Sequence, residues 1–265
     1  MDDLVTIWLV FTAAGTAAGL LAGLFGIGGG LIAVPTLIYV LNGRGLPAEI
    51  ALPLAFGTST ACILFTSASS ARAHSARGAV LWRLFRWAAP GIAVGAAAGA
   101  VCASVMPVAS LRIGLAVYVA AIATQMLLGL EPPRRARPLG RSALAVAGVL
   151  AGGISAMVGF GGATLFVPLL GWCGVTLKKA IGTSAALGFP IAAAGTLGYI
   201  LAGMPRDDLP PLSLGFVYLP AVLGIVLPSM LMAPVGARLT EALPVVLLRR
   251  TFAIVLYTTA ARLAV

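Results

Sequence analysis

Gly26-Ile27-Gly28-Gly29-Gly30-Leu31-Ile32-Ala33-Val34-Pro35 occurs again, with small changes, as Gly159-Phe160-Gly161-Gly162-Ala163-Thr164-Leu165-Phe166-Val167-Pro168. In each copy a glycine-rich run opens a short apolar stretch that contains a proline, Pro35 or Pro168, read as a helix break. The stretches 30–41 and 163–173 would reach roughly 18 and 17 Å as helix, at about 1.5 Å per residue. That falls short of a hydrocarbon core of about 30 Å, so each is a short helix, spanning or re-entrant. Irregular backbone beside such helices is tolerated at membrane depth only where it is buried in protein or lines a cavity.

Two further matches extend the repeat. Phe56-Gly57-Thr58-Ser59 parallels Ile181-Gly182-Thr183-Ser184, and Met106-Pro107-Val108-Ala109-Ser110-Leu111-Arg112 parallels Leu243-Pro244-Val245-Val246-Leu247-Leu248-Arg249. The three matches keep one order at offsets of 133, 125 and 137 residues, so the halves differ mainly in loop length. The chain therefore divides into a first membrane repeat, 1–130, a basic Pro-rich linker, 131–142, and a second membrane repeat, 143–265.

Composition makes the solvent a bilayer. Of 265 residues 60% are apolar and 9% charged, against about 25% charged in a soluble domain, and the mean hydropathy is +1.08. Ten apolar runs follow, at about 4–25, 30–41, 50–71, 84–105, 111–130, 143–158, 163–173, 180–203, 213–235 and 244–264. The fold class is an all-α polytopic membrane protein of 8–10 membrane segments. Met1-Asp2-Asp3 offers no basic region of the kind that opens a signal peptide, so the first run counts as structure.

The net charge of +10 does not indicate a nucleic-acid partner, because the basic residues sit in short loops between apolar runs. With the linker placed in the cytoplasm, tracing outward leaves 13 Lys and Arg on that side and only Arg44, Arg112, Arg206 and Arg262 on the other. That bias puts both termini in the periplasm. Each half changes sides an odd number of times, so the repeats are inverted, as in many secondary transporters.

The glycine runs carry the chemistry. Gly28, Gly29, Gly30, Gly161 and Gly162 let backbone approach a ligand, and the first N–H groups of each short helix lack an intrahelical partner. With the helix dipole they form an anion site. The competing reading is tight packing through small residues. The hydroxyls Thr58, Ser59, Thr183 and Ser184 stand near the start of the third run of each half and can bind an oxyanion, or else bond within and between helices. No ionisable residue lies clearly at mid-membrane, which argues against a carboxylate cation site or an internal proton relay. The sole histidine, His74, reads as a solvated loop residue among Arg72, Ser75 and Arg77. Arg112 and Arg249 read as interfacial, Gln125 as a packing residue and Glu241 as solvated. Cys62, Cys102 and Cys173 form no C-x-x-C pair. With no catalytic, metal or cofactor cluster, the expectation is no enzyme, no metal and no cofactor.

These paired motifs resemble the TauE/SafE family of membrane permeases, called sulfite exporters. The resemblance spans nearly the whole chain. It implies secondary export of sulfite, an organosulfonate or a related sulfur anion across a bacterial inner membrane. The partners are then a small anionic substrate and the lipid bilayer. The alternatives are a permease for another small organic anion and a non-transporting membrane scaffold. Repeat 2 departs at Ala163, where repeat 1 has Gly30, so its half-site should bind less closely or only pack.

Overall fold

A computed structural model describes residues 2–26, 28–128, 140–239 and 257. The expected segment 244–264, apart from Tyr257, and most of the linker 131–142 lie outside the described residues. The first half comprises α1 (Asp2–Phe25), α2 (Gly30–Gly43), α3 (Ala48–Ser75), α4 (Trp82–Val105) and α5 (Val108–Leu128). The second comprises α6 (Arg141–Met157), α7 (Ala163–Trp172), α8 (Leu177–Gly203), the hairpin β1 (Ser213–Leu214) and β2 (Val217–Tyr218), and α9 (Leu219–Leu239). Among the described residues six helices are long and apolar enough to cross a membrane. The chain is thus an all-α polytopic membrane protein. Several bounds differ from the apolar runs: α3 extends to Ser75, α5 begins at Val108 and α8 at Leu177. α6 already begins at Arg141. The run 213–235 opens as a hairpin, because Ser213 pairs with Tyr218 and Leu214 with Val217 around Gly215-Phe216 before the helix starts.

The halves match as α1 with α6, α2 with α7, α3 with α8 and α4 with α9, and they are interlocked. α1 packs on α9, and its counterpart α6 packs on α4, so each half lends its first helix to the other. Small residues make both seams. Gly15, Gly19 and Gly23 of α1 meet Ile225, Ser229 and Ala233 of α9, while Gly91, Gly95 and Gly99 of α4 meet Ala145, Val149 and Gly153 of α6. Lipid is as apolar as leucine and gives helices little hydrophobic reason to associate. Close backbone approach through small residues supplies the dispersion contacts instead.

α3 and α8 form the central pair. All residues from Ile50 to Ile63 are buried, as are those from Ala180 to Gly188. Gly57 meets Tyr199, Thr60 meets Gly195 and Ser67 meets Gly188, so the two helices run antiparallel. Equivalent spanning helices that run in opposite directions are what an inverted repeat requires. The outer faces are apolar: Leu223, Leu227 and Leu231 make an exposed stripe at four-residue spacing on α9. That reverses the amphipathicity of a soluble helix and suits contact with acyl chains.

Arg141, Arg44 and Arg206 lie at the ends of the bundle. The Arg141 guanidinium sits 4.3 Å over the Trp87 ring, joining the start of α6 to the start of α4. At the other end Arg44 donates to the Tyr218 hydroxyl at 2.6 Å, and Arg206 pairs with Asp208.

Candidate functional site

The two glycine runs meet inside the bundle. Gly28 lies so near Gly161 that a Cβ on Gly28 would stand 3.2 Å from the Gly161 Cα. Gly30 faces the Gly159 carbonyl and the Phe160 Cα, at 2.5 and 2.9 Å from its would-be Cβ. Gly29 caps α2 in the left-handed region, with φ 79°, where a side chain is strained. Its carbonyl accepts from Ile32 and Ala33, which leaves the Gly30 and Leu31 N–H groups without a backbone partner among the described residues. In repeat 2, Gly162 caps α7 in the right-handed region, with φ −66°. Pro35 and Pro168 lie inside α2 and α7, and the chain breaks at the glycines that precede each helix.

The hydroxyls stand within their helices, fully buried, and their contacts cross between the repeats. Gly57 admits the Phe216 carbonyl, and Gly182 admits the Ala79 carbonyl. Thr58 Oγ1 accepts from the Tyr218 N–H at 2.9 Å, and Thr183 Oγ1 accepts from the Leu81 N–H at 2.9 Å. Each Gly-Thr pair therefore grips the chain as it enters the next helix, α9 in one case and α4 in the other. Ser59 donates to the Gly159 carbonyl at 2.7 Å. Ser184 breaks the pattern: its Oγ is buried with no hydrogen-bond partner among the described residues. The two hydroxyl groups do not converge. Ala186 packs with Ala71, so the Thr183-Ser184 end lies about 18 Å along α3 from Ser59, at about 1.5 Å per residue.

Three side chains that the sequence reading passed over matter here. Ser155 and Thr196 also have buried hydroxyl oxygens without partners among the described residues. They flank Ala156 and Gly195, which touch. Tyr199 is fully buried, and its hydroxyl donates to the α6 carbonyl of Ala156. No local sequence pattern distinguishes these residues from ordinary helix residues. His74 corrects an expectation. It is not a loop residue but closes α3, is buried, and places Nε2 2.9 Å from the Gly23 carbonyl of α1. A carbonyl only accepts, so that nitrogen carries the proton.

A cavity of about 600 Å³ opens between α3, α4 and α8, lined by Arg72, Trp82, Phe85 and Phe189 among others. It sits on the face of α8 turned away from Ser184, since Ala186 lines it and residues two apart on a helix do not share a face.

Comparison with known proteins agrees with this architecture. A family model described as Sulfite exporter TauE/SafE matches residues 11–263. The chain is 36% identical over 255 residues to a "Probable membrane transporter protein" of Haemophilus influenzae, covering 95% of this chain and 96% of that one. It is 27% identical over 240 residues to "Probable membrane transporter protein YdhB" of Bacillus subtilis, covering 87% and 89%. No solved structure matches it significantly. With six spanning helices, interlocked halves and a family match over almost its full length, this chain belongs to the sulfite exporter TauE/SafE family of multi-pass membrane transporters.

Proposed function

We propose that the protein is a secondary transporter that exports a small sulfur-containing anion, sulfite or an organosulfonate, across the bacterial inner membrane, with both termini in the periplasm. The meeting of the two glycine runs carries this reading. Two short helices begin within a few ångströms of each other, from backbone that glycine leaves bare. Each N-terminus presents roughly half a positive charge. Two together oppose about one negative charge without burying a charged side chain, whose desolvation would be costly. The family description and the absence of ionisable residues from both glycine runs point the same way.

A larger organic anion is the second reading, and the cavity favours it. Its volume of about 600 Å³ far exceeds what sulfite fills, and it combines one guanidinium with aromatic walls. Purified protein in liposomes, loaded in turn with labelled sulfite, sulfate, thiosulfate, sulfoacetate and taurine, tests both. Efflux of sulfite or a small sulfonate above that from empty liposomes is the expected result. No efflux of any of them overturns the sulfur-anion reading.

A further inference from the structure

We infer that Ser184, in the first turns of α8, is the hydroxyl that binds the transported anion, whereas its counterpart Ser59 is a structural latch. The inference rests on the transport reading above and divides its two half-sites into unequal roles. Five of the six contacts made by the paired Gly-Thr-Ser motifs obey the two-fold relation: both glycines admit a carbonyl, both threonines accept an N–H, and Ser59 donates to Gly159. The sixth would be donation from Ser184 to Gly26, and it is missing.

Ser184 is nevertheless placed to make it. Gly26 sits on the turn of α8 that carries Ser184, its would-be Cβ 2.6 Å from the Ile181 carbonyl and 3.3 Å from the Ala185 nitrogen. Gly159 sits in the same way on the Phe56 turn of α3 that carries Ser59. Around Ser59, the latched carbonyl lies against Gly30, the first residue of α2. By the same register Ser184 points between Gly26 and the first turn of α7. A helix leaves its first N–H groups without intrahelical partners, and the helical bonds described for α7 begin with Leu165 and Phe166 donating to Gly162.

The repeats differ at one relevant position. Gly30 approaches the Gly159 carbonyl more closely than a residue with a Cβ can. Repeat 2 has alanine, Ala163, at the corresponding position of the sequence, where the sequence alone suggested a weaker half-site. A hydroxyl donor beside unpaired N–H groups suits the oxygen of a sulfite or sulfonate anion.

Ser184→Ala and Ser59→Ala, each assayed for thermal unfolding and for sulfite and taurine affinity on one preparation, test the division. Removing an unpaired buried hydroxyl leaves no partner behind, so Ser184→Ala should unfold at the same temperature or higher. Its anion affinity should fall about 10- to 150-fold, the loss expected for one hydrogen bond to a charged group. Ser59→Ala should unfold at a lower temperature and keep its affinity within about threefold. Unchanged affinity in Ser184→Ala, with wild type binding normally, overturns the assignment and leaves the transport reading standing; Ser184 is then a packing residue or holds a water. A wild type that binds neither anion overturns the transport reading and this assignment together.

Discussion

The Tyr199 hydroxyl on α8 donates to the Ala156 carbonyl on α6 across 3.0 Å, and His74 stands at the matching place on α3, 2.9 Å from the Gly23 carbonyl on α1. Both bonds tie a central helix to the last turns of a helix that ends in a glycine run. In each case the side chain reaches a carbonyl near a helix terminus, where intrahelical donors are running out. The fold thus uses a phenol at one end and an imidazole at the other for the same mechanical task.

Tyr199→Phe keeps the ring and deletes the bond. Stability should fall by about 0.5–1.5 kcal/mol, the net worth of one such bond. That corresponds to a melting temperature lower by a few degrees in a chain of this size. An unchanged melting temperature in detergent would show that the tie contributes nothing.

Thr58 and Thr183 predict a larger cost. Thr→Val preserves shape but leaves the Tyr218 or Leu81 N–H facing a methyl group. An unsatisfied donor costs about 1–3 kcal/mol. Each variant should unfold earlier, while Thr→Ser at the same position should recover most of the loss. Equal stability of the Val and Ser variants would remove the acceptor role from both threonines.

Glycine is required at the seams and dispensable elsewhere. At Gly95 a Cβ would run into the Val149 carbonyl, whereas at Gly114 in α5 nothing among the described residues lies within 4 Å. Gly95→Ala should separate α4 from α6 and lower folded yield sharply. Gly114→Ala should be neutral or stabilising by about 0.5–1 kcal/mol, because alanine loses less backbone entropy in a helix. Thermal unfolding of both variants decides the matter, and matched behaviour would contradict the seam.

Antiparallel α3 and α8 place the turn after α3 and the loop after α8 at opposite ends of the bundle. Ala76→Cys and Asp208→Cys, in a background without Cys62, Cys102 and Cys173, should label from opposite faces of the membrane with an impermeant maleimide. Both sites are exposed. Labelling from one face alone would be incompatible with this arrangement.

Much of this protein is determined by composition and local pattern. Few charges and long apolar runs select the bilayer as solvent, and in a bilayer the backbone must satisfy itself, so helices follow. The duplicated glycine runs mark where the chain breaks, and the basic bias sorts the loops to two ends. Those properties belong to single segments or to counts along the chain. Tertiary structure alone decided the roles of individual side chains. Ser59 and Ser184 sit in the same tripeptide, yet one is bonded and the other is not. His74 reads as a loop residue among arginines, yet it is buried because α1 passes beside it. Each outcome depends on the register between helices from distant parts of the chain. That register is set by packing across the two halves, which no short window of sequence contains.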